Sequence, residues 1–297
     1  MPALRIIVVG SGGRLGAALV REWRAEGHHV LGFNRQLLDI GNFAAVRETL
    51  GGQEFDALVN CAALTNVDYC ETHPEEAHRL NGEAVATIAD VCSRKKARCI
   101  HISTDYVFDG AKQEPYTEAD EAVPISAYGA SKLAGEQALH AVSAQHLAVR
   151  VSWVFGPDRP SFVDQILQRA LENDAVAAIA DKVAVPTYTL DAAKLLSPFL
   201  DSVPAGGVLH LCNGGACTWQ EYGQYALDVA AEAGVPLKAR TVAPQAMADL
   251  TAFIAKRPPR TALDTQRLTS LTGQTPRAWR EAVGAYVRTL WAPAHRA

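Results

Sequence analysis

The chain has 297 residues, 48% of them hydrophobic, 20% charged and 7% aromatic, an ordinary globular composition that excludes disordered, collagen-like and coiled-coil classes. At roughly 150 residues per domain the length allows one large or two medium domains, each with a full hydrophobic core. Lys and Arg total 28 against 32 Asp and Glu, a net charge of −4; the basic excess needed to bind a phosphate backbone is missing, so no nucleic-acid partner is expected.

Strand patterns at 4–10, 29–34, 57–62, 98–103 and 147–154 alternate with helical patterns at 13–26, 42–50, 75–96 and 127–141. Runs such as Ile6-Ile7-Val8-Val9 are apolar on both faces, as a parallel strand covered by helices on each side must be. The alternation predicts an α/β fold with a Rossmann-type, doubly wound parallel sheet. In the first helix Leu15, Leu19 and Trp23 form one apolar stripe, Arg21, Arg24 and Glu26 lie off it, and Gly27 supplies the stop. After about residue 155 the rhythm loosens. Gly156-Pro157 opens an irregular region, a helical stretch follows at 161–172, and Val185-Pro186-Thr187 breaks the chain before an amphipathic segment at 189–200. A last strand at 208–212 is expected to return to the sheet, leaving 214–297 as helices and Pro-rich loops. The predicted division is 1–155, joined by about 186–213, and a smaller discontinuous C-terminal domain made of 156–185 and 214–297.

The longest apolar run near the first residues, Ile6 to Val9, falls far short of a signal-peptide core or a membrane span of about 20 residues, so no membrane partner and a cytoplasmic location are expected. Cysteines 61, 70, 92, 99, 212 and 217 include no Cys-x-x-Cys pair and no zinc spacing. They read as buried free thiols.

The first strand runs into Gly10-Ser11-Gly12-Gly13-Arg14-Leu15-Gly16 and then into the first helix. Glycines suit a backbone that turns sharply, approaches a pyrophosphate and packs a helix tightly on a strand, and the helix N-terminus offers free N–H groups to the anion. The spacing is Gly-x-x-Gly-x-x-Gly through 10, 13 and 16, with Leu15 where the third glycine or alanine of the Gly-x-Gly-x-x-Gly form would fall. A dinucleotide is therefore expected here. The end of the second strand reads Gly32-Phe33-Asn34-Arg35 and lacks the acid that normally accepts the ribose 2′-OH of NAD. Arg35, with Arg14 from the loop, is expected to pair with the 2′-phosphate of NADPH, NADH remaining possible; the plainer reading of both is solvated surface arginine. Asp39 and Ile40 are placed to flank the adenine.

The fourth strand is followed by Ser103-Thr104-Asp105-Tyr106, and 24 positions after Thr104 comes Tyr128-Gly129-Ala130-Ser131-Lys132. Four residues apart on a helix, Tyr128 and Lys132 share a face. A phenol is a poor proton donor near pH 7 until a cation stabilises its phenolate, and the Thr104 hydroxyl at a strand end can hold a carbonyl beside it. Alone, Tyr-x-x-x-Lys is a common surface pair. Downstream of a glycine loop, it reads as hydride transfer to a carbonyl, with Tyr128 the proton donor and Lys132 tuning it.

These motifs, together with Val59–Asp68, Ser103–Gly110, Tyr128–Glu136, Ser152-Trp153-Val154, Val185-Pro186-Thr187, Cys217-Thr218-Trp219 and Arg257-Pro258, resemble the extended short-chain dehydrogenase/reductases, and within them the dTDP-4-dehydrorhamnose reductase family. The resemblance implies catalytic roles for Thr104, Tyr128 and Lys132. It implies that Cys61, Ala62, Ala63 and Thr65 join Gly10, Gly13, Arg14, Leu15, Gly16, Asn34 and Arg35 around the cofactor. It further implies that Val67, Asp105, Tyr106 and Trp153 face the sugar, with Arg257 at the nucleotide-sugar diphosphate. The plain reading of Trp153 is a core residue at a strand end, and Trp219 reads as packing. Where the family usually carries Asp-Gln-x-Gly-x-Pro-Thr, this chain has Asp181-Lys182-Val183-Ala184-Val185-Pro186-Thr187. Leu15 supplies no carboxylate for the Mg²⁺ that some members bind, so no metal is expected.

The implied reaction is reduction of the C4 carbonyl of a nucleotide-linked 4-keto-6-deoxysugar, dTDP-4-dehydrorhamnose to dTDP-L-rhamnose, by a monomer or homodimer. Two alternatives stand beside it. One is a reductase or epimerase for another nucleotide sugar; elimination of water is disfavoured because Tyr106 follows Thr104-Asp105 where a dehydratase needs an Asp-Glu pair. The other is a non-catalytic NADP-binding regulatory subunit, like that of methionine adenosyltransferase.

Overall fold

The doubly apolar strands pair as expected into a six-stranded parallel sheet in the computed structural model, which describes residues 2–295. Along the chain run β1 (Arg5–Val9), α1 (Arg14–Ala25), β2 (His29–Phe33), α2 (Phe43–Gly51), β3 (Ala57–Asn60), α3 (Val67–Thr72), α4 (Pro74–His78), α5 (Ala84–Arg94), β4 (Arg98–Thr104), α6 (Ala127–Val142) and β5 (Leu147–Val151). There follow β6 (Val154–Phe155), α7 (Phe162–Glu172), β7 (Val176–Ile179), β8 (Val183–Ala184), β9 (Thr187–Tyr188), α8 (Thr189–Leu196) and β10 (Gly207–His210). The remainder is β11 (Cys217–Thr218), α9 (Trp219–Glu232), β12 (Val242–Gln245), α10 (Gln266–Thr272) and α11 (Trp279–Tyr286).

The sheet order is β10–β5–β4–β3–β1–β2, every pairing parallel. The chain passes from β1 outward to β2 and then returns to β3 on the other side of β1. The order thus reverses between β1 and β3, and a crevice opens beyond the carboxyl ends of those two strands. Alternate strand residues face opposite layers. Ile6, Val8, Val59 and Val149 pack on Leu19 and Trp23 of α1 and on Leu196 and Phe199. Ile7, Val9, Leu58 and Ala148 pack on Val46 and Leu50 of α2, Ile88 of α5 and Leu139 of α6.

A separate core lies away from the sheet. Phe155, Ile166, Leu167, Tyr222, Leu227, Trp279, Val283 and Tyr286 come together from β6, α7, α9 and α11, and β7 and β12 pair in parallel. Residues Ala192 to Leu211, by contrast, pack against the sheet. A further small cluster brings together Phe108, Tyr116, Val185, Cys212 and Leu263.

Four segments depart from the sequence expectation, the first being 214–297, where β11 and β12 pair with β8 and β7 in addition to the expected helices and loops. The predicted strand 147–154 stops at Val151, because Trp153 adopts a φ of 41° that no strand accommodates. The predicted helix 75–96 begins with Pro74 at its first turn and widens at Arg79–Glu83 into a π-turn. At the widening, buried Asn81 exchanges hydrogen bonds with both backbone groups of Leu64, at 2.8 and 3.0 Å, and donates to Ser131. The amphipathic segment 189–200 is α8 followed by a 3₁₀ turn at Ser197–Leu200, where Pro198 cannot continue the α-helical bonding. All six cysteines are free, five buried and Cys61 half-buried. Among the described residues no helix is long and apolar enough to cross a membrane.

Candidate active site

The crevice at the β1/β3 reversal opens into a cavity of about 1010 Å³, at the upper end of the range for small-molecule and cofactor sites. Its floor requires glycine. Gly10 has a φ of 81°, and a Cβ there would lie 2.5 Å from the Ala62 nitrogen; one on Gly16 would lie 2.4 Å from the Gly10 carbonyl oxygen. The loops after β1 and β3 therefore touch backbone to backbone. Gly13, at the N-cap of the 12-residue α1, provides no side-chain cap, so the first N–H groups of that helix are left for an anion. This cradle fits a dinucleotide diphosphate.

Gly10, Gly13, Arg14, Leu15, Gly16, Asn34, Arg35, Asp39, Ile40, Cys61, Ala62, Ala63 and Thr65 all line the cavity. The Asn34 side chain accepts from the N–H groups of Gln36 and Leu37, 3.0 Å each, and so shapes the turn that presents exposed Arg35. Arg14 does not join Arg35 as expected. Its guanidinium donates to the carbonyls of Val154 (3.2 Å), Arg159 (3.1 Å) and Pro160, because three main-chain acceptors of the irregular 154–160 segment converge on it. Arg159, unmarked by any periodicity, also lines the cavity, with Nη2 3.9 Å from where a Cβ on Gly12 would stand.

Thr104 ends β4 and Tyr128 is the second residue of α6. Ser126 caps α6 by accepting from the Gly129 N–H, and Gly129 is needed because a Cβ there would fall 2.2 Å from the Tyr106 carbonyl oxygen. The close approach sets the Tyr128 ring edge-on to Tyr106, centroids 5.7 Å apart. The Thr104 hydroxyl accepts from the Tyr106 N–H and donates to Asp105 Oδ1, both at 3.2 Å. Asp105 Oδ2 in turn accepts from Ser152 Oγ at 3.0 Å and from Thr261 Oγ1. Burial raises the Tyr128 phenol above its ordinary value, and its hydrogen bond with Thr104 pulls the other way.

Lys132 shares the Tyr128 face of α6, but its ammonium position does not serve the phenol directly. Nζ donates to the Ile102 carbonyl at 2.7 Å and lies 3.1 Å from His101 Nε2. The side chain is 1% exposed, and burial lowers it to about 8, opposed by the charges of Glu136 and Cys61. The expectation that Lys132 stabilises the phenolate is therefore not met in this arrangement, since a backbone carbonyl and an imidazole hold the amine instead.

Thr104, Asp105, Tyr128, Lys132 and Trp153 line the same cavity as the glycine cradle. Trp153 stacks on Tyr222, 6.3 Å away and 7° from parallel, and its buried Nε1 has no hydrogen-bond partner. A bulky residue held at positive φ at a cavity wall marks stored strain. Val67, Tyr106 and Arg257 stand outside the lining. The Arg257 guanidinium is bidentate on Asp68, at 2.7 and 3.0 Å, and stacks 3.5 Å over Phe253, so as placed it is engaged by a carboxylate. That guanidinium holds Asp68 down at about 2. Lys182, fully buried, donates to the Pro258 carbonyl at 2.5 Å and sits 4.7 Å over the Tyr106 ring. Burial lowers it to about 8 and the Asp105 charge opposes this.

Sequence reasoning missed Arg159, Asn60, His101, Ser152 and Thr261. For Asn60, His101 and Ser152 a signal existed: each is a polar residue inside an apolar strand run. Among the described residues no group of three or more His, Cys, Asp or Glu is arranged to hold a metal ion.

Comparison with known proteins agrees with this geometry. The family model described as RmlD substrate binding domain matches residues 4–291. The chain is 37% identical over 284 residues to dTDP-4-dehydrorhamnose reductase of Mycolicibacterium smegmatis, covering 95% of this chain and 84% of that protein. It is 32% identical over 284 residues to the spore coat polysaccharide biosynthesis protein SpsK of Bacillus subtilis, covering 96% and 97%. A crystal structure of dTDP-4-dehydrorhamnose reductase from Bacillus anthracis in complex with NADP superposes with a TM-score of 0.90 at 28% identity, covering 96% of this chain and 98% of that one. With a cradle for a diphosphate, a threonine and a tyrosine at one cavity and matches along nearly its whole length, the chain belongs to the RmlD substrate binding domain family, that of the dTDP-4-dehydrorhamnose reductases.

Proposed function

We propose that the protein reduces the C4 carbonyl of a nucleotide-linked 4-keto-6-deoxysugar with NADPH, converting dTDP-4-dehydrorhamnose to dTDP-L-rhamnose. The observation that carries this reading is the single cavity lined at once by the Gly10–Gly16 cradle and by Thr104, Tyr128 and Lys132. The names of the relatives and the NADP in the related structure support it. NADH is accepted less well, because Arg35 stands where an acid would bind the ribose diol.

The residues divide the work. The Gly10, Gly13 and Gly16 backbone and the N-terminus of α1 hold the diphosphate, Ala62 and Ala63 bound the adjoining ribose, and Asp39 with Ile40 flanks the adenine. When bound, the nicotinamide supplies hydride to the carbonyl carbon. Thr104 holds the carbonyl oxygen beside Tyr128, whose O–H gives it a proton. Asp105, fixed by Ser152 and Thr261, takes the Thr104 hydroxyl proton in the unliganded protein, and that single O–H turns from Asp105 to the carbonyl oxygen when substrate binds. Trp153, Val67 and Tyr106 shape the sugar site, and Arg257 meets the diphosphate once it opens from Asp68. The part of the chain built on 1–155 and about 186–213 carries the cofactor side, and 156–185 with 214–297 carries the sugar side. All these groups come from one chain, so the reading holds for a monomer or a homodimer.

The test is the loss of NADPH absorbance in the presence of enzymatically made dTDP-4-dehydrorhamnose. No oxidation with this or any other 4-keto nucleotide sugar overturns the proposal and leaves a non-catalytic NADP-binding role. Tyr128→Phe should lower kcat by about 10²–10⁴-fold with NADPH affinity nearly unchanged. Arg35→Ala should weaken NADPH more than NADH; equal weakening removes Arg35 from phosphate recognition.

A further inference from the structure

Asn60 of β3 and His101 of β4 are register partners, and both are fully buried. Asn60 Oδ1 accepts from the Ala62 N–H at 3.0 Å, which orients the amide so that Nδ2 faces His101 Nδ1, 3.1 Å away. An amide NH₂ only donates, so Nδ1 must present its lone pair. A neutral imidazole of that form carries its proton on Nε2. That nitrogen lies 3.1 Å from Lys132 Nζ.

An ammonium also only donates, and two donors facing at 3.1 Å repel. Protonating the ring worsens the conflict, since Nδ1–H would then meet the Asn60 NH₂, and burial and the charge of Lys132 already hold His101 well below its usual value. Handing the shared proton to the amine instead would leave an imidazolate, which is disfavoured because an imidazole N–H is a much weaker acid than an ammonium. A neutral amine resolves the contact, and a hydrogen bond made only by the neutral form carries Lys132 below the value of about 8 to which burial brings it. Its lone pair accepts from Nε2–H while its own N–H donates to the Ile102 carbonyl at 2.7 Å.

We propose that Lys132 stands as a neutral amine in the unliganded protein, held by a donor chain from Ala62 N–H through Asn60 and His101. It takes up one proton from solvent when Nζ leaves the imidazole on cofactor binding. Asn60 and His101 are then positioning residues that act through Lys132. The uptake converts –NH₂ to –NH₃⁺ and breaks only the hydrogen bond to Nε2. The surroundings suit such a poised state. Glu136, one turn along α6, favours the ammonium, but its carboxylate is already paired with Arg150 at 2.7 and 2.9 Å. Cys61, beyond β3, also favours it. His101 from β4 and the near-complete burial of the side chain oppose it. The coupling to cofactor rests on the NADPH site proposed above, whose cavity Lys132 lines; the hydrogen-bond assignment does not.

The experiment is NMR of the unliganded full chain labelled with ¹³Cε-lysine and ¹⁵N-histidine, the Lys132 signal being identified by its loss in Lys132→Met and the His101 signal by its loss in His101→Gln. The expected result is a neutral-amine Lys132 at pH 7 beside a His101 protonated on Nε2 only. An ammonium signal for Lys132, or a proton on His101 Nδ1, overturns the proposal. Calorimetric titration of NADP⁺ in buffers of different ionisation enthalpy should then show close to one proton taken up per cofactor bound. The His101→Gln variant, whose side-chain carbonyl can accept from an ammonium, should bind NADP⁺ with uptake near zero; unchanged uptake overturns the role of His101. If Lys132→Met keeps full turnover while the NMR result is as expected, the catalytic reading of Lys132 fails and the neutral amine stands.

Discussion

Arg257 and Asp68 close a bidentate pair across 189 positions of sequence, and the same carboxylate accepts from the N–H groups of Ile254 and Ala255, 2.9 Å each. One aspartate thus pins the 254–257 segment to the start of α3. Because Arg257 holds Asp68 at about 2, below the ordinary value of 3.8, the pair contributes stability that is complete above about pH 4 and is lost as pH falls through about 2. The urea midpoint of Asp68→Asn should therefore lie below wild type at pH 6, and the gap should narrow as pH falls from about 4. A gap that stays constant with pH would mean the carboxylate charge contributes nothing. None of this was legible in the sequence, where Arg257 read as a free cation for a diphosphate, because its partner is fixed only by tertiary structure. Arg14 was misread for the same reason. Tyr128, Lys132 and Thr104 were legible, since a four-residue spacing and a strand end place them without knowledge of distant contacts; the direction in which Lys132 points was not.

Buried Glu136 of α6 and Arg150 of β5 join helix to sheet, and Ser103 of β4 donates to the same carboxylate. Removing one member of such a pair leaves an unpaired buried charge, a loss of about 3–5 kcal/mol, whereas removing both is far milder. Arg150→Met should accordingly lower stability to chemical denaturant by that amount, and Glu136→Gln with Arg150→Met should recover part of it. Additive losses would show that the two side chains act independently. At this scale the sequence was read well wherever one period persisted: the five first strands and α1, α2 and α6 fall within a few residues of their expected bounds. It failed where a local geometry interrupts an apolar run. Ser152-Trp153 continues the composition of β5 but not its backbone, and the π-turn at Arg79–Glu83 keeps the composition of a helix while Asn81 turns inward to Leu64.

The sheet and the core around Trp279 are joined by directed contacts, among them Arg14 on the carbonyls of 154–160 and Arg21 on Asp158. The layer of the sheet that α1 covers is completed mainly by residues of 192–211, among them Leu196, Phe199, Leu209 and Leu211, with Leu268 of α10 beside them. A fragment of residues 1–155 should therefore be poorly soluble and bind a hydrophobic dye, whereas a version that retains 186–213 should not. Equal behaviour of the two fragments, measured by sedimentation and dye fluorescence, would show the first part to be self-sufficient.

The pairing of β5 with β10, parallel from Leu147 with Gly207 to Arg150 with His210, has a bearing on how the protein is made. At about 5–20 residues per second, a ribosome needs several seconds to advance from Val151 to His210. During that interval β5 is an open sheet edge above an unfinished apolar layer, the kind of surface on which nascent chains associate. The order of synthesis thus gives the second half of the chain a protective duty toward the first, and synonymous codons that slow translation across 152–206 would prolong the exposure without altering a single amino acid.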